Sequence, residues 1–142
     1  MSAYITDKLK PVILNKGRKQ GKSDPLIAQE TEQLRGANGN LGWIGKECRP
    51  DAVATYSLTA SSFPSPTVQN ACDVKACIQK IHPTIGIGIK INHRHAEDVQ
   101  LFGIMDSSLD NAVGRKTQVG WMCGFTTSWL HKNKETTANI IT

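Results

Sequence analysis

No apolar stretch of the 142 residues approaches the roughly 20 needed to cross a bilayer as a helix. The first twenty residues, "MSAYITDKLKPVILNKGRKQ", contain no continuous apolar segment of the kind a secretory signal carries. These two absences give the expectation of a soluble, intracellular protein, cytoplasmic or nuclear and not secreted, with no membrane partner. Cys48, Cys72, Cys77 and Cys123 show no Cys-x-x-Cys spacing, and His82, His93, His95 and His131 do not interleave with them at zinc-finger spacing. Free, partly buried thiols in a reducing compartment follow. His93-x-His95 lies in a polar connection, "NHRHAED", where a solvated turn is expected rather than two metal ligands. There is no internal repeat and no low-complexity tract.

Acids are scarce at the N-terminus. Lys8, Lys10, Lys16, Arg18, Lys19 and Lys22 precede residue 23, where Asp7 is the single acid, and they set much of the net charge of +5. Such a cluster suits a phosphate backbone through counterion release, but a solvated basic arm is the expectation, since charge runs are usually that. The chain before residue 26 reads as that arm: irregular, with one short extended piece at "PVILN" and a Lys/Gly-rich loop.

Asp24-Pro25 is a helix-start signal, with Asp as the cap and Pro at the first helical position. Ile27, Leu34, Leu41, Ile44 and Cys48 then fall on one helical face. Gly36, Gly39, Gly42 and Gly45 recur along it, each costing about 1 kcal/mol of helix propensity relative to Ala. They predict a close approach by another backbone or a break near Asn38-Gly39-Asn40, and a break is the expectation. A second helix follows Pro50, with Ala52, Tyr56 and Ala60 on one face. Ser65-Pro66 introduces a third, with Val68, Ala71, Cys72, Ile78 and Ile81 inward and a stop at Pro83.

The period changes at residue 84. In "TIGIGIKIN", Ile85, Ile87, Ile89 and Ile91 alternate with small or polar residues, the pattern of a strand with one buried face. Its Gly-x-Gly pair is followed by no Lys-Ser/Thr and no capped helix, so it does not read as a phosphate loop. "VQLFGIM", a loop over 107–116, "TQVGWMCGFTT" and a short "SWLHK" complete an antiparallel meander. The fold class is therefore α+β, a helical half followed by a small antiparallel sheet. Three regions result: a basic arm over 1–25, a helical segment over 26–83 and a β segment over 84–142.

Asp106 closes the strand "LFGIM" and is followed by Ser107, Ser108 and Asp110. Two readings are open. A strand-borne carboxylate is how two-metal nucleases begin a Mg²⁺ site, but that chemistry needs three or four carboxylates from different elements. Alternatively Asp106 or Asp110 bonds a backbone N–H and starts a turn.

The series "LRGANGNLGWIGKECRPD", "YSLTASSFPSPTVQNACDVKACI" and "FGIMDSSLDNAVGRKTQVGWMCGFTTSW" resembles the end of the Pol polyprotein of copia-type LTR retrotransposons. There a helical connection segment with Leu-x-Trp and Arg-Pro-Asp, matched by Leu41, Trp43, Arg49, Pro50 and Asp51, precedes a ribonuclease H-like domain. That domain's opening strands are matched by Met105-Asp106-Ser107-Ser108, by Lys116-Thr117-Gln118-Val119-Gly120-Trp121, and by Ser128-Trp129-Leu130-His131-Lys132. The resemblance covers about residues 26–132. It implies the first three strands of a ribonuclease H-like fold, incomplete, with Asp106 as first metal-binding carboxylate, Mg²⁺ as the family's ion and an RNA–DNA hybrid as its substrate.

The departures are specific. The family's next catalytic residue is a Glu on a helix after the third strand, where alignment on Thr136-Thr137-Ala138 places Asn139; Glu135 precedes that run. Later aspartates and the polymerase hairpin find no match, and one Asp cannot hold two ions. The expectation is a Pol fragment that is catalytically incomplete and binds no metal tightly, with the remainder of the polyprotein as a candidate partner. The alternatives are a nuclease completed by another chain, and a non-catalytic nucleic-acid-binding module using the basic arm with Trp43, Trp121 and Trp129. Those tryptophans lie on apolar stretches, where core packing is expected over base stacking.

Overall fold

The computed structural model describes residues 1–89, 93, 95–112, 116–127 and 139–141. It divides into two compact units, Met1–Gly88 and Ile89–Thr142. The first is helical: α1 (Ser2–Lys8), α2 (Ala28–Glu47), α3 (Val53–Ser61) and α4 (Val68–Ile81), joined by short 3₁₀ turns. The second is a sheet of β1 (Val99–Ala112), β2 (Lys116–Thr127) and β3 (Asn139–Ile141), antiparallel throughout and ordered β1-β2-β3. The α+β class is thus the observed one.

The core of the first unit is a single cluster built on Leu34, Leu41 and Ile44 of α2 with Val74, Ile78 and Ile81 of α4. Each fully buried Leu or Ile there contributes about 2 kcal/mol. Ile5, Leu9 and Val12 join it, so the N-terminal segment is not an irregular arm. Its first residues form α1, and the apolar positions 5, 9 and 12, spaced by four and three, face the core. Lys8 and Lys10 occupy positions between them, and the other four cations follow Val12.

The helix after Pro25 begins later than Asp24 suggests. Its N-cap is Ile27, whose N–H donates to the Glu30 carboxylate at 3.1 Å. Asp24 acts elsewhere: its backbone carbonyl accepts from Val68 N–H at 2.9 Å, and the Lys22 carbonyl accepts from Gln69 N–H at 2.9 Å. Residues 22–26 thereby satisfy the open N-terminus of α4, whose own cap, Thr67, donates its N–H to Asn70 Oδ1 at 2.8 Å.

Helix α2 runs unbroken for 20 residues, against the expected break. Asparagine disrupts helices by turning its amide onto nearby backbone, and here both amides have tertiary partners. Asn38 Nδ2 donates to the Tyr56 carbonyl at 3.3 Å; Asn40 Nδ2 donates to the Lys8 carbonyl and Asn40 Oδ1 accepts from Tyr4 Oη, each at 2.9 Å. Gly42 and Gly45 serve the other expected purpose, close approach. A Cβ on Gly42 would lie 2.6 Å from the Tyr56 ring, and one on Gly45 3.0 Å from Val53 Cγ2. The partners are side chains of α3 rather than backbone.

The alternating isoleucines do not form a strand over the described positions. His82–Thr84 is 3₁₀, residues 85–86 turn, 87–89 are irregular, and Ile91 lies outside the described residues. Ile85 packs against the helical core instead. The chain is held there by Arg49, which donates to both Thr84 O and Thr84 Oγ1 at 3.0 Å.

Trp43 is 45% exposed, not a core residue. It follows Leu34 by nine positions, about half a turn away from the buried stripe, and leans on the Tyr4 ring with centroids 4.4 Å apart.

Candidate functional site

Asp106 is borne on a strand and does not start a turn. The loop predicted from 107 is strand, because β1 continues to Ala112 and pairs with β2 beyond the aspartate. Asp106 is the eighth of fourteen strand residues, opposite Gly120, with Ser107 opposite Val119 and Ser108 opposite Gln118. It is therefore not a turn-starting residue. Its carboxylate stands exposed on the face shared with Phe102, Ile104 and Met122, and glycine opposite leaves the space beside it open.

A Mg²⁺ site would need further carboxylates around that position. Among the described residues no group of three or more His, Cys, Asp or Glu is arranged to hold a metal. Asp98 lies eight residues before Asp106, about 26 Å at strand rise. Asp110 belongs to β1 in its backbone, but its side chain lies outside the described residues, as does Glu135. Asn139, aligned with the family's helical Glu, lies on β3 opposite Phe125. Strand in place of helix is a second departure from the family pattern, beyond the residue type. Ser128-Trp129-Leu130-His131-Lys132 falls outside the described residues. Trp121 is exposed, against the core packing expected of it.

The six N-terminal cations are not equivalent. Lys8, Lys10 and Lys22 are exposed, and Lys10 Nζ donates to the Thr6 carbonyl at 2.7 Å. Lys16 and Lys19 flank Arg18 on the 3₁₀ turn Lys16–Gln20, with side chains outside the described set. Arg18 is committed internally. Its Nη2 donates to Glu30 Oε2 at 2.7 Å and to the Pro25 carbonyl at 2.9 Å, and its Nε donates to Glu30 Oε1 at 3.3 Å. The guanidinium hydrogen bond holds the Glu30 carboxyl below its usual range, against the opposing effect of burial.

Arg49-Pro50-Asp51 forms a bonded polar constellation. Arg49 is buried and grips Asp51 with two bonds, Nε to Oδ1 at 2.9 Å and Nη2 to Oδ2 at 2.7 Å, while binding Thr84 on its other side. Hydrogen bonding to Arg49 lowers the Asp51 carboxyl. The fork joins the end of α2 to the turn after α4, a bracing role. Beside it, α3 and α4 enclose a cleft of about 490 Å³ lined by Asp51, Thr55, Thr59, Asp73, Cys77 and Lys80 among others. Sequence reasoning missed it; the signal was the spacing of Asp73, Cys77 and Lys80 along one face of α4. Its carboxylates are engaged, Asp51 by Arg49 and Asp73 by Gln69 Nε2 at 2.6 Å.

The four cysteines are half-buried and joined by no disulfide, as expected. Burial pushes the Cys48 thiol up, which disfavours the thiolate a nucleophile needs. His93 and His95 are exposed, their rings edge-to-face at 5.6 Å. No helix among the described residues is long and apolar enough to cross a membrane.

These features define an α+β chain with a helical unit, a three-stranded antiparallel unit and, among the described residues, no cluster of three or more metal-ligating side chains. No protein-family model, curated protein or solved structure matches it.

Proposed function

We propose that this chain is a piece of a copia-type Pol polyprotein, the reverse transcriptase connection segment followed by the start of the ribonuclease H-like domain, and that it is catalytically incomplete on its own. One observation carries the reading. The two halves of the β signature, Met105-Asp106-Ser107-Ser108 and Lys116–Trp121, lie on adjacent antiparallel strands with Asp106 directly opposite the signature's Gly120. The Arg-Pro-Asp motif adds support, since its Arg is buried and bonded to its Asp.

In this reading Asp106 is the remnant of a Mg²⁺ ligand, and the remaining ligands belong to polyprotein segments this chain does not supply. In-frame sequence flanking the gene is expected to encode a Tyr-x-Asp-Asp type hairpin upstream, or Glu and Asp ligands downstream. Flanks with neither remove the reading. Incubated with an RNA–DNA hybrid and Mg²⁺, the purified chain is expected to release no product. Cleavage that disappears in Asp106→Asn would instead support a nuclease completed by a second chain.

A second reading, a non-catalytic nucleic-acid-binding module, has the exposure of Lys8, Lys10, Lys22 and Trp43 in its favour. It requires binding that weakens steeply with salt. Replacing Lys8, Lys10 and Lys22 by Glu is expected to cost at least tenfold in affinity, a steady part of which each phosphate contact contributes. Affinity unchanged by that triple substitution rules the module out.

A further inference from the structure

The two faces of the β1–β2 ribbon differ. The register pairs Leu101 with Phe125, Gly103 with Cys123, Met105 with Trp121 and Ser107 with Val119. Alternation along the strands places all eight on one face, opposite to the face carrying Asp106. No charged residue is among them. Five are large and apolar, and they are open to solvent: Leu101 72%, Met105 78%, Val119 62%, Trp121 68% and Phe125 38%. At those exposures they present roughly 600 Å² of contiguous apolar surface, at the upper end of what single soluble chains leave uncovered.

We propose that this face is the contact between two copies of the chain, packed sheet on sheet. A polyanion needs cations, and the face offers none. A charged or strongly polar protein surface would lose hydration against it without gaining a partner. A second copy meets both demands, because an uncharged apolar face is complementary to itself under two-fold symmetry. The area agrees: two copies of this face bury roughly 1,200 Å², the lower bound of a specific, stable interface. Met105 and Trp121, directly opposed at the middle of the patch, are its anchors. The face follows from strand register and exposure, whether or not the chain derives from a polyprotein.

Sedimentation equilibrium of the intact chain across the micromolar range tests this. A monomer–dimer equilibrium is expected, with the dissociation constant raised about thirtyfold or more by Trp121→Lys, the scale of a lost aromatic anchor. Met105→Lys is expected to act in the same direction. Ile104→Lys, on the opposite face, is expected to leave association unchanged. Because residues 105 and 121 are already exposed within one chain, neither substitution removes a buried contact. Trp121→Gln, a milder change, is expected to weaken association in the same sense. A monomer at every concentration overturns the proposal. So does association that survives both lysine substitutions, or association that Ile104→Lys abolishes equally.

Discussion

At the scale of single residues, two arginines hold the helical unit and one aspartate stands apart. Arg49 is buried among bonds to Asp51 and Thr84. Truncating it in Arg49→Ala removes hydrogen bonds from a charged donor, and a loss of about 2 kcal/mol in urea unfolding is expected. Glu30 and Asp51 both have carboxyls held below their ordinary values, chiefly by hydrogen bonds to Arg18 and Arg49 respectively. A lowered folded pKa adds stability that is complete above the ordinary value and is lost as pH falls through the folded one. Acid titration is therefore expected to weaken the helical unit from about pH 4 downward, whereas raising pH from 7 to 9 leaves these two contributions intact. Glu30 carries more of this than Asp51, since Asp51 is half exposed and solvent screens its pair. In Glu30→Gln the acid limb, followed by helical circular dichroism, is expected to flatten. Asp106 is the contrast. Exposed, opposite a glycine, it contributes no packing, and Asp106→Asn is expected to change stability by less than about 0.5 kcal/mol. Its residue type and its strand were legible from "LFGIMD". Its position in mid-strand was not, because Ser107, Ser108 and Asp110 favour turns locally and only pairing with β2 overrides that preference.

Among elements, α2 separates glycines that serve packing from glycines that do not. Gly36 and Gly39 are exposed, and a Cβ on either meets nothing within 4 Å. Gly36→Ala and Gly39→Ala are each expected to stabilise by about 0.5–1 kcal/mol. Gly42→Ala drives a methyl into the Tyr56 ring and is expected to destabilise by about 1–3 kcal/mol. Opposite signs from the same substitution, measured in one urea series, identify the face that α3 covers. The helical periodicity of Leu34, Leu41 and Ile44 was readable directly. The continuity of the helix was not, since it rests on Asn38 reaching Tyr56 and Asn40 reaching Tyr4 and Lys8, contacts 18 to 36 residues away in sequence. The isoleucine run failed for a related reason. Period-two spacing suits a strand, but Ile85 finds its apolar partners in the helical core, and Arg49 fixes Thr84 just before it.

For the whole molecule, the order of a helical half followed by a β half was legible, because helical spacing runs through α2 and α4 and the apolar segments of β1 and β2 come after them in sequence. The role of the N-terminus was obscured by its charge: six cations suggested an arm, while Ile5, Leu9 and Val12 between them reach the core. Ile5→Ala and Leu9→Ala are each expected to cost about 2–4 kcal/mol, far more than a solvated arm permits. Since that core is drawn wholly from residues of the first unit, residues 1–88 expressed alone are expected to unfold in one cooperative, helical transition. The bond between His82 and Leu9 joins the first and last segments of the helical unit. Nε2 of His82 lies 3.2 Å from the Leu9 carbonyl, 73 residues upstream. A growing chain emerges amino-terminus first, so the segment around Leu9 waits through most of the unit's synthesis before its partner exists. Until α4 leaves the exit tunnel, Ile5, Leu9 and Val12 are expected to stay incompletely covered, and slower translation in that interval is expected to lengthen their exposure.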